Sequence, residues 1–236
     1  IASGSGTCSK DSGVVDDAEG GQLILTDASG LSGNASGILV KQSFLSTSAL
    51  YAEFESQSYG GGGASRTLWL IDASAPTPNV LSGGATGGYG GSSGGVPGGV
   101  LGITFDAVGS AALANNAACP SNGWDSSKSS ADQVVIRSGD TSSTRGLSGY
   151  CFVTSTNQKF GALGSTTKSV GPLHQSDASD GWQHFFVSVI PPSFTNDLAH
   201  VTVAVDAADG RGLQPVLDVA LPTWAWDKLT LPSHLK

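Results

Sequence analysis

The most informative stretch of this sequence is Val96-Pro-Gly-Gly-Val-Leu-Gly-Ile-Thr-Phe-Asp-Ala-Val-Gly-Ser110. From Val100 to Asp106, large apolar side chains alternate with small or polar ones, which is the period of a β-strand with two different faces. Gly98 and Gly99 come directly before this strand. Their missing side chains permit either a close approach of a ligand to the backbone or a tight loop with positive φ. The stretch therefore predicts a strand that is entered through a glycine loop.

The same alternation recurs along the chain, and Gly, Asp and Ser turn signals separate the alternating segments. A low charged fraction of 13% and 34 glycines also favour short strands over helices. We therefore predict an all-β domain with about ten strands. The predicted strands are Gly21 to Thr26, Gly37 to Phe44, Ala49 to Ser56, Arg66 to Asp72, Val100 to Asp106, Asp132 to Ser138, Tyr150 to Thr154, Trp182 to Ile190, Ala199 to Asp206 and Pro215 to Val219.

The domain organisation follows from the length and from the apolar patterns. A chain of 236 residues is long enough for one large core, so we predict a single domain over residues 1–236. Residues 81–99 are rich in Gly and Ser, and strand patterns on both sides make them a long loop inside that domain. Residues 1–12 are interpreted as an extended N-terminal arm.

The charge and the cysteines indicate the compartment and the classes of partner. A net charge of −8 argues against nucleic acid and anionic membranes as partners, and no apolar run is long enough to cross a bilayer. The chain begins without Met, which predicts a processed protein that is secreted or exposed at a cell surface. Cys119 and Cys151 flank a strand-like segment and are predicted to form a disulfide. Cys8 is left as a free thiol or as a link between subunits of a homo-oligomer.

Five stretches together carry a resemblance to a known family. Residues 62–72, Gly-Gly-Ala-Ser-Arg-Thr-Leu-Trp-Leu-Ile-Asp, and residues 96–110 resemble the glycine loops and acidic strand of L-type, legume-lectin-like domains, particularly bacterial members. Residues 132–137, residues 149–151 and the closing residues 231–236 are similar to the same family in the same order. The resemblance implies a concanavalin A-like jelly-roll sandwich of two antiparallel sheets, one flat and one curved.

The resemblance also implies a sugar site at the rim of the curved sheet. In the family, an Asp in the first loop, a Gly amide in the second and an Asn after the acidic strand together hold sugar hydroxyls. Ser65 stands where that Asp is expected, so a weaker hydroxyl replaces the carboxylate acceptor. We add Tyr89 and Trp124 because aromatic side chains in polar loops can stack on sugars. The predicted carbohydrate-binding residues are Ser65, Arg66, Tyr89, Gly98, Gly99, Asp106, Ser110 and Trp124.

The metal-binding and catalytic patterns of related proteins are incomplete in this sequence. Thr104 stands where the family's metal-binding Glu is expected, so no paired metal site and no cofactor are predicted. A lone Ca²⁺ held by Asp125, Asp132 and Asp140 is the alternative to three solvated loop carboxylates. Residues 53–55, Glu-Phe-Glu, put two carboxylates on one strand face, which we interpret as an exposed face rather than a glycosidase pair. The protein is therefore predicted not to be an enzyme.

Two alternatives remain open from the sequence. Trp224 and Trp226 form either a stacking platform for sugars or part of the core. The domain itself either binds a glycan or glycoconjugate at its rim, or serves as a structural or adhesive subunit that keeps the lectin fold and has lost standard sugar binding.

The resemblance also implies one more strand, because family members continue past the residues that correspond to Lys236. Either the chain is simply truncated there, or residues 1–7 or a neighbouring subunit supply the strand that completes the sheet.

Overall fold

The computed structural model describes residues 2–3, 13–15, 22–24, 35–40, 42–60, 65–76, 96, 98–112, 119, 125–139, 150–158, 163–193, 197–226 and 232–236. In this part of the chain, the regular structure is antiparallel β-sheet, and helix is limited to three short 3₁₀ turns at Ser110–Ala112, Ser126–Lys128 and Ala178–Asp180. The prediction of an all-β protein is confirmed.

The strands of the described residues are numbered in chain order. They are β1 (Ala2–Ser3), β2 (Gly13–Val15), β3 (Gln22–Ile24), β4 (Ala35–Ser36), β5 (Phe44–Leu45), β6 (Leu50–Ser56), β7 (Ser65–Ile71), β8 (Gly99–Asp106), β9 (Gln133–Ser138), β10 (Cys151–Ser155), β11 (Leu163–Thr167), β12 (Gln183–Ile190), β13 (His200–Asp206), β14 (Gln214–Ala220) and β15 (His234–Leu235).

Two antiparallel sheets face each other across one apolar core. The first has four strands in the order β10-β9-β8-β7, and the second has five in the order β11-β14-β13-β12-β6. Phe105 of the first sheet packs edge-on against two aromatic side chains of the second, with its ring centroid 4.5 Å from that of Phe185 and 5.9 Å from that of Phe54. Inward-facing residues of both sheets form one buried cluster, so the chain folds as a β-sandwich.

The other face of the four-stranded sheet is also covered. Ala111 and Ala112 of the first 3₁₀ turn pack on Val135 and Phe152, and together they form a second buried cluster. The predicted disulfide between Cys119 and Cys151 is present and ties the same region to the start of β10. A disulfide is compatible with an extracellular location. As a result, every residue of the central strand β8 is buried.

Two predictions about strands require correction. The strand predicted from Gly37 to Phe44 is wrong over residues 37–40, which are irregular, and the strand begins only at Phe44. Ile38 and Val40, the apolar residues of this segment, are exposed. Strand β11, Leu163–Thr167, was not predicted because Leu-Gly-Ser-Thr-Thr has almost no apolar alternation, yet it pairs with β14 at the edge of the five-stranded sheet.

The two tryptophans near the end of the described chain belong to the core. Trp226 is buried in the main cluster and Trp224 packs against it. They lie in a turn closed by hydrogen bonds from the N–H groups of Ala225 and Trp226 to the Pro222 carbonyl, so they do not alternate on an extended strand. The stacking platform is therefore wrong and the core interpretation is correct. Of the N-terminal arm, the described part is Ala2–Ser3, which pairs with Ala35–Ser36.

Candidate functional site

Asp106, the last residue of β8, is completely buried, and its carboxylate organises the predicted rim. Its Oδ1 accepts hydrogen bonds from the Ser65 hydroxyl and from the Gly109 N–H, both at 2.9 Å. Its Oδ2 accepts them from the Ala111 N–H at 2.8 Å and from Gln133 Nε2 at 3.3 Å. Since N–H and O–H donors approach both oxygens, the carboxylate holds the turn after β8 in place.

The two glycines of the second loop are packed against the protein itself. Gly98 has a φ of +71°, and a Cβ at this position would collide with the Cβ of Ala75. A Cβ at Gly99 would meet the ring of Tyr150, whose hydroxyl donates a hydrogen bond to the Val96 carbonyl. The tight-loop interpretation is therefore correct for Gly98, where L-residues with side chains are strained.

Arg66 points between the two sheets. Its Nη2 donates to the Leu173 carbonyl at 2.6 Å and to Gln183 Oε1 at 2.7 Å, and its Nη1 donates to the Ser56 hydroxyl at 3.2 Å. The guanidinium also lies 4.7 Å from the ring centre of Phe185. Burial lowers the pKa of Arg66 to about 10. Arg66 thus ties β7 to β6 and β12.

Of the other predicted sugar-binding residues, the structure describes Ser110 but neither Tyr89 nor Trp124. Ser110 begins the 3₁₀ turn that Asp106 organises. Tyr89 and Trp124 lie outside the described residues, as do Cys8 and Asp140.

The carboxylates considered for a lone Ca²⁺ have separate local roles. The Asp125 carboxylate caps the second 3₁₀ turn, and its Oδ1 accepts hydrogen bonds from the Ser127 hydroxyl at 2.7 Å and from the Ser127 N–H at 2.9 Å. These two hydrogen bonds, the one from the hydroxyl first, lower the pKa of Asp125. Asp132 Oδ1 accepts from the Leu173 N–H at 2.7 Å. Within the described ranges, no group of three His, Cys, Asp or Glu side chains is arranged to hold a metal ion.

A different cluster lies on the outer surface of the five-stranded sheet. Strands β6 and β12 pair with each other, and the residues that point outward from them have aromatic, acidic and imidazole side chains. Glu55 pairs in register with His184, and Glu53 with Phe186. We call this cluster the acidic aromatic face, and it consists of Tyr51, Glu53, Glu55, Trp182, His184 and Phe186.

Two of the three aromatic side chains of this face are exposed to solvent. Tyr51 is 64% exposed, and Trp182, directly before β12, is 43% exposed. The centroid of the Tyr51 ring lies 6.5 Å from that of Phe186, with an angle of 33° between the ring planes. Tyr51 pairs in register with Ser188, so it lies about 20 Å along the strand pair from Trp182, a separation that an extended ligand can bridge.

The electrostatics of the same sheet are one-sided. Strands β6, β12, β13 and β14 contain no Lys or Arg, while they carry Glu53, Glu55, Asp206 and Asp218. His184 Nε2 lies 2.8 Å from Glu53 Oε1, and His200 Nδ1 lies 3.2 Å from Asp218 Oδ1. The outer surface therefore combines acceptors, imidazoles and hydroxyls such as that of Thr202, which donates to Asp218 at 3.1 Å.

Sequence reasoning identified only part of this face. It placed Glu53 and Glu55 on one exposed strand face, which is correct, but it did not single out Tyr51, Trp182 or Phe186. The signal was present in Tyr-x-Glu-x-Glu at residues 51–55 and in Trp-x-His-x-Phe at residues 182–186. What the sequence could not supply was the pairing of two strands whose contacting residues, Glu53 and His184, are 131 positions apart.

Comparison with known proteins identifies no relative: no family model, no curated protein and no solved structure matches this chain. Among the described residues, the helical turns are too short to span a membrane.

Proposed function

We propose that this protein is a non-enzymatic carbohydrate-binding module with a lectin-like jelly-roll fold, secreted or exposed at a cell surface. The observation that carries the proposal is the acidic aromatic face, where Tyr51, Trp182 and Phe186 alternate with carboxylates and an imidazole. The glycan binds there by stacking the apolar face of its sugar rings on exposed aromatic rings, while neighbouring polar groups accept and donate hydrogen bonds to its hydroxyls.

The proposed binding surface differs from the rim that the sequence predicts. Ser65, Asp106 and the two terminal guanidinium nitrogens of Arg66 already form hydrogen bonds to partners within the domain. Releasing any of these groups to bind a sugar would leave a buried donor or acceptor without a partner, at a cost of about 1–3 kcal/mol for each group. The donors around Asp106 also occupy the directions from which a cation would approach, so we propose no metal at this position.

The open surface supports binding rather than catalysis. The Glu53 side chain is 63% exposed and pairs with His184 on a sheet face, where water has free access to a bound glycosidic bond. Glycoside hydrolysis uses two carboxyl groups on opposite sides of one bond, in a site that controls water.

The hydrogen bonds that the rim residues form within the domain also favour a second candidate function. In that alternative, the domain is a structural or adhesive subunit of a surface assembly, with the lectin fold and without standard sugar binding. The two candidates make different predictions for a purified domain, because only the first predicts saturable binding of a glycan that depends on Tyr51 and Trp182.

A glycan array tests the proposal directly. We expect the wild-type domain to bind a subset of extended glycans, and Tyr51→Ala or Trp182→Ala to weaken binding by about tenfold each, since one aromatic contact contributes up to roughly 1.5 kcal/mol. Leu45→Ala is the matched control, because Leu45 is 50% exposed but lies on β5, which pairs with β15 outside this sheet. An absence of glycan binding, or equal loss in all three variants, would contradict the proposal.

A further inference from the structure

We infer that the ligand of the acidic aromatic face is an extended amino-sugar polymer with free, positively charged amines. This inference rests on the proposed function, and it adds the chemical class of the ligand. It follows from the combination of negative charge and exposed rings on one surface, which neither a neutral glycan nor a simple basic peptide matches equally well.

The first step is charge complementarity. Strands β6, β13 and β14 present carboxylates, and neither they nor β12 contains Lys or Arg, so their outer surface attracts cations and repels anions. His184 already lies against Glu53. Within the described part of the chain, the Glu55 carboxylate has no such ion-pair partner, and it is exposed. A ligand amine is therefore the group that best complements Glu55.

The second step is the geometry of the rings beside these carboxylates. Tyr51, Glu53 and Glu55 are alternate residues of one strand, so their side chains follow each other at intervals of about 7 Å on the same face. An ammonium group is attracted both by a carboxylate and by the face of an aromatic ring. An amino sugar offers a flat ring face and an ammonium group in the same unit, so one unit satisfies Tyr51 and a neighbouring carboxylate together.

The third step separates a glycan from a basic peptide. Lysine side chains would satisfy the carboxylates, but they are flexible and lack a rigid apolar ring to cover Tyr51 and Trp182, which are 64% and 43% exposed. A second copy of this domain is also a poor occupant, because two copies of this face would bring the same carboxylates together. A cationic polysaccharide lacks both disadvantages.

The experiment compares three hexasaccharides with the same β-1,4-linked backbone by isothermal titration calorimetry on the full chain. Glucosamine hexamer carries amines, N-acetylglucosamine hexamer carries the same positions without charge, and cellohexaose carries hydroxyls. A hexalysine peptide is the fourth ligand. We expect the glucosamine hexamer to bind most tightly, and its affinity to fall as the salt concentration rises.

Variants separate the contributions of charge and of stacking. Glu55→Gln keeps the side-chain shape and should reduce affinity for the glucosamine hexamer about two- to fivefold, the effect of one exposed ion pair, with little change for the acetylated hexamer. Tyr51→Ala should weaken binding of both. Asp125→Asn is the matched control, because Asp125 is a carboxylate that caps a 3₁₀ turn in a different part of the fold.

Each other outcome overturns the inference in an identifiable way. Equal binding of all three hexasaccharides would refute the amino-sugar class and leave the proposed carbohydrate function intact. Hexalysine binding as tightly as the glucosamine hexamer, unaffected by Tyr51→Ala, would refute the glycan and point to a basic protein. A concentration-dependent dimer that Tyr51→Ala dissociates would identify a second copy as the occupant. Binding of no ligand would refute both the inference and the proposed function.

Discussion

Replacing Asp106 with Asn is the sharpest test of the role assigned to the rim. The side chain is completely buried, and donors from Ser65, Gly109, Ala111 and Gln133 converge on its two oxygens. An Asn side chain is almost the same size, but it offers one oxygen and one NH₂ group. In either orientation, the NH₂ group faces hydrogen-bond donors, so at least one buried N–H or O–H loses its acceptor.

The expected loss of stability can be worked out from these contacts. A buried donor without an acceptor costs about 1–3 kcal/mol, and the remaining hydrogen bonds weaken by roughly 1 kcal/mol because their acceptor is no longer charged. We therefore expect Asp106→Asn to lower the free energy of unfolding by about 3 kcal/mol. For a domain of this size, that corresponds to a fall in Tm of about 6–12 °C.

Urea denaturation followed by tryptophan fluorescence measures the change, with thermal unfolding as a second readout. Asp125→Asn serves as the control, because the Asp125 Oδ1 that accepts from Ser127 is retained as an amide oxygen, and we expect a much smaller change than for Asp106→Asn. A loss below about 1 kcal/mol for Asp106→Asn would refute the reasoning. So would calcium that raises the Tm of the wild type but leaves Asp106→Asn unaffected, because Asp106 would then be a cation ligand.

Three further predictions concern other parts of the fold. Removal of the disulfide in Cys119→Ser/Cys151→Ser, which frees a loop with a sequence separation of 32, should lower the free energy of unfolding by about 3–4 kcal/mol, measured by urea titration. Gly98→Ala should cost about 1–3 kcal/mol in the same assay, because its φ is +71° and Ala75 occupies the adjacent space. Hydrogen bonds, first from Ser176, lower the pKa of Asp180 from 3.8, so its stabilisation is present above pH 3.8 and is lost as the pH falls through the lower, folded-state pKa. The difference in unfolding free energy between the wild type and Asp180→Asn should therefore disappear in strong acid, and a difference that persists there would contradict the role of the charge.

The strands that build the core were accessible from the sequence because burial leaves a clear period. Val100 to Asp106 alternates apolar and small or polar residues, and the structure has a strand at Gly99–Asp106. Strand β11 has no such pattern, since an edge strand needs only a backbone partner on one side. Residues 37–40 show the converse, because their alternating pattern predicts a strand whereas the structure is irregular over these four residues.

The rim was only partly predictable, because residue type does not reveal what a polar side chain binds. Ser65 and Asp106 are 41 positions apart, and the hydrogen bond between them exists because β7 pairs with β8 in one particular register. A one-residue slip would place Ser65 on the opposite face. Arg66 follows Ser65 directly and points the other way, into the space between the sheets, which the alternation predicts once the strand is known.

The acidic aromatic face raises a physical question that stability alone does not answer. An edge strand such as β6 needs some protection against pairing with another chain, and the charges of Glu53 and Glu55 provide it. Charge repulsion does not explain why Tyr51, on the same face of β6, leaves 64% of its surface exposed to water. A smaller polar residue at this position would expose less apolar area. The carboxylates therefore have two explanations, edge protection and ligand binding, whereas edge protection does not account for the exposed ring. It follows that Tyr51→Ala tests whether this surface binds a ligand at all, and Glu55→Gln tests only what charge that ligand carries.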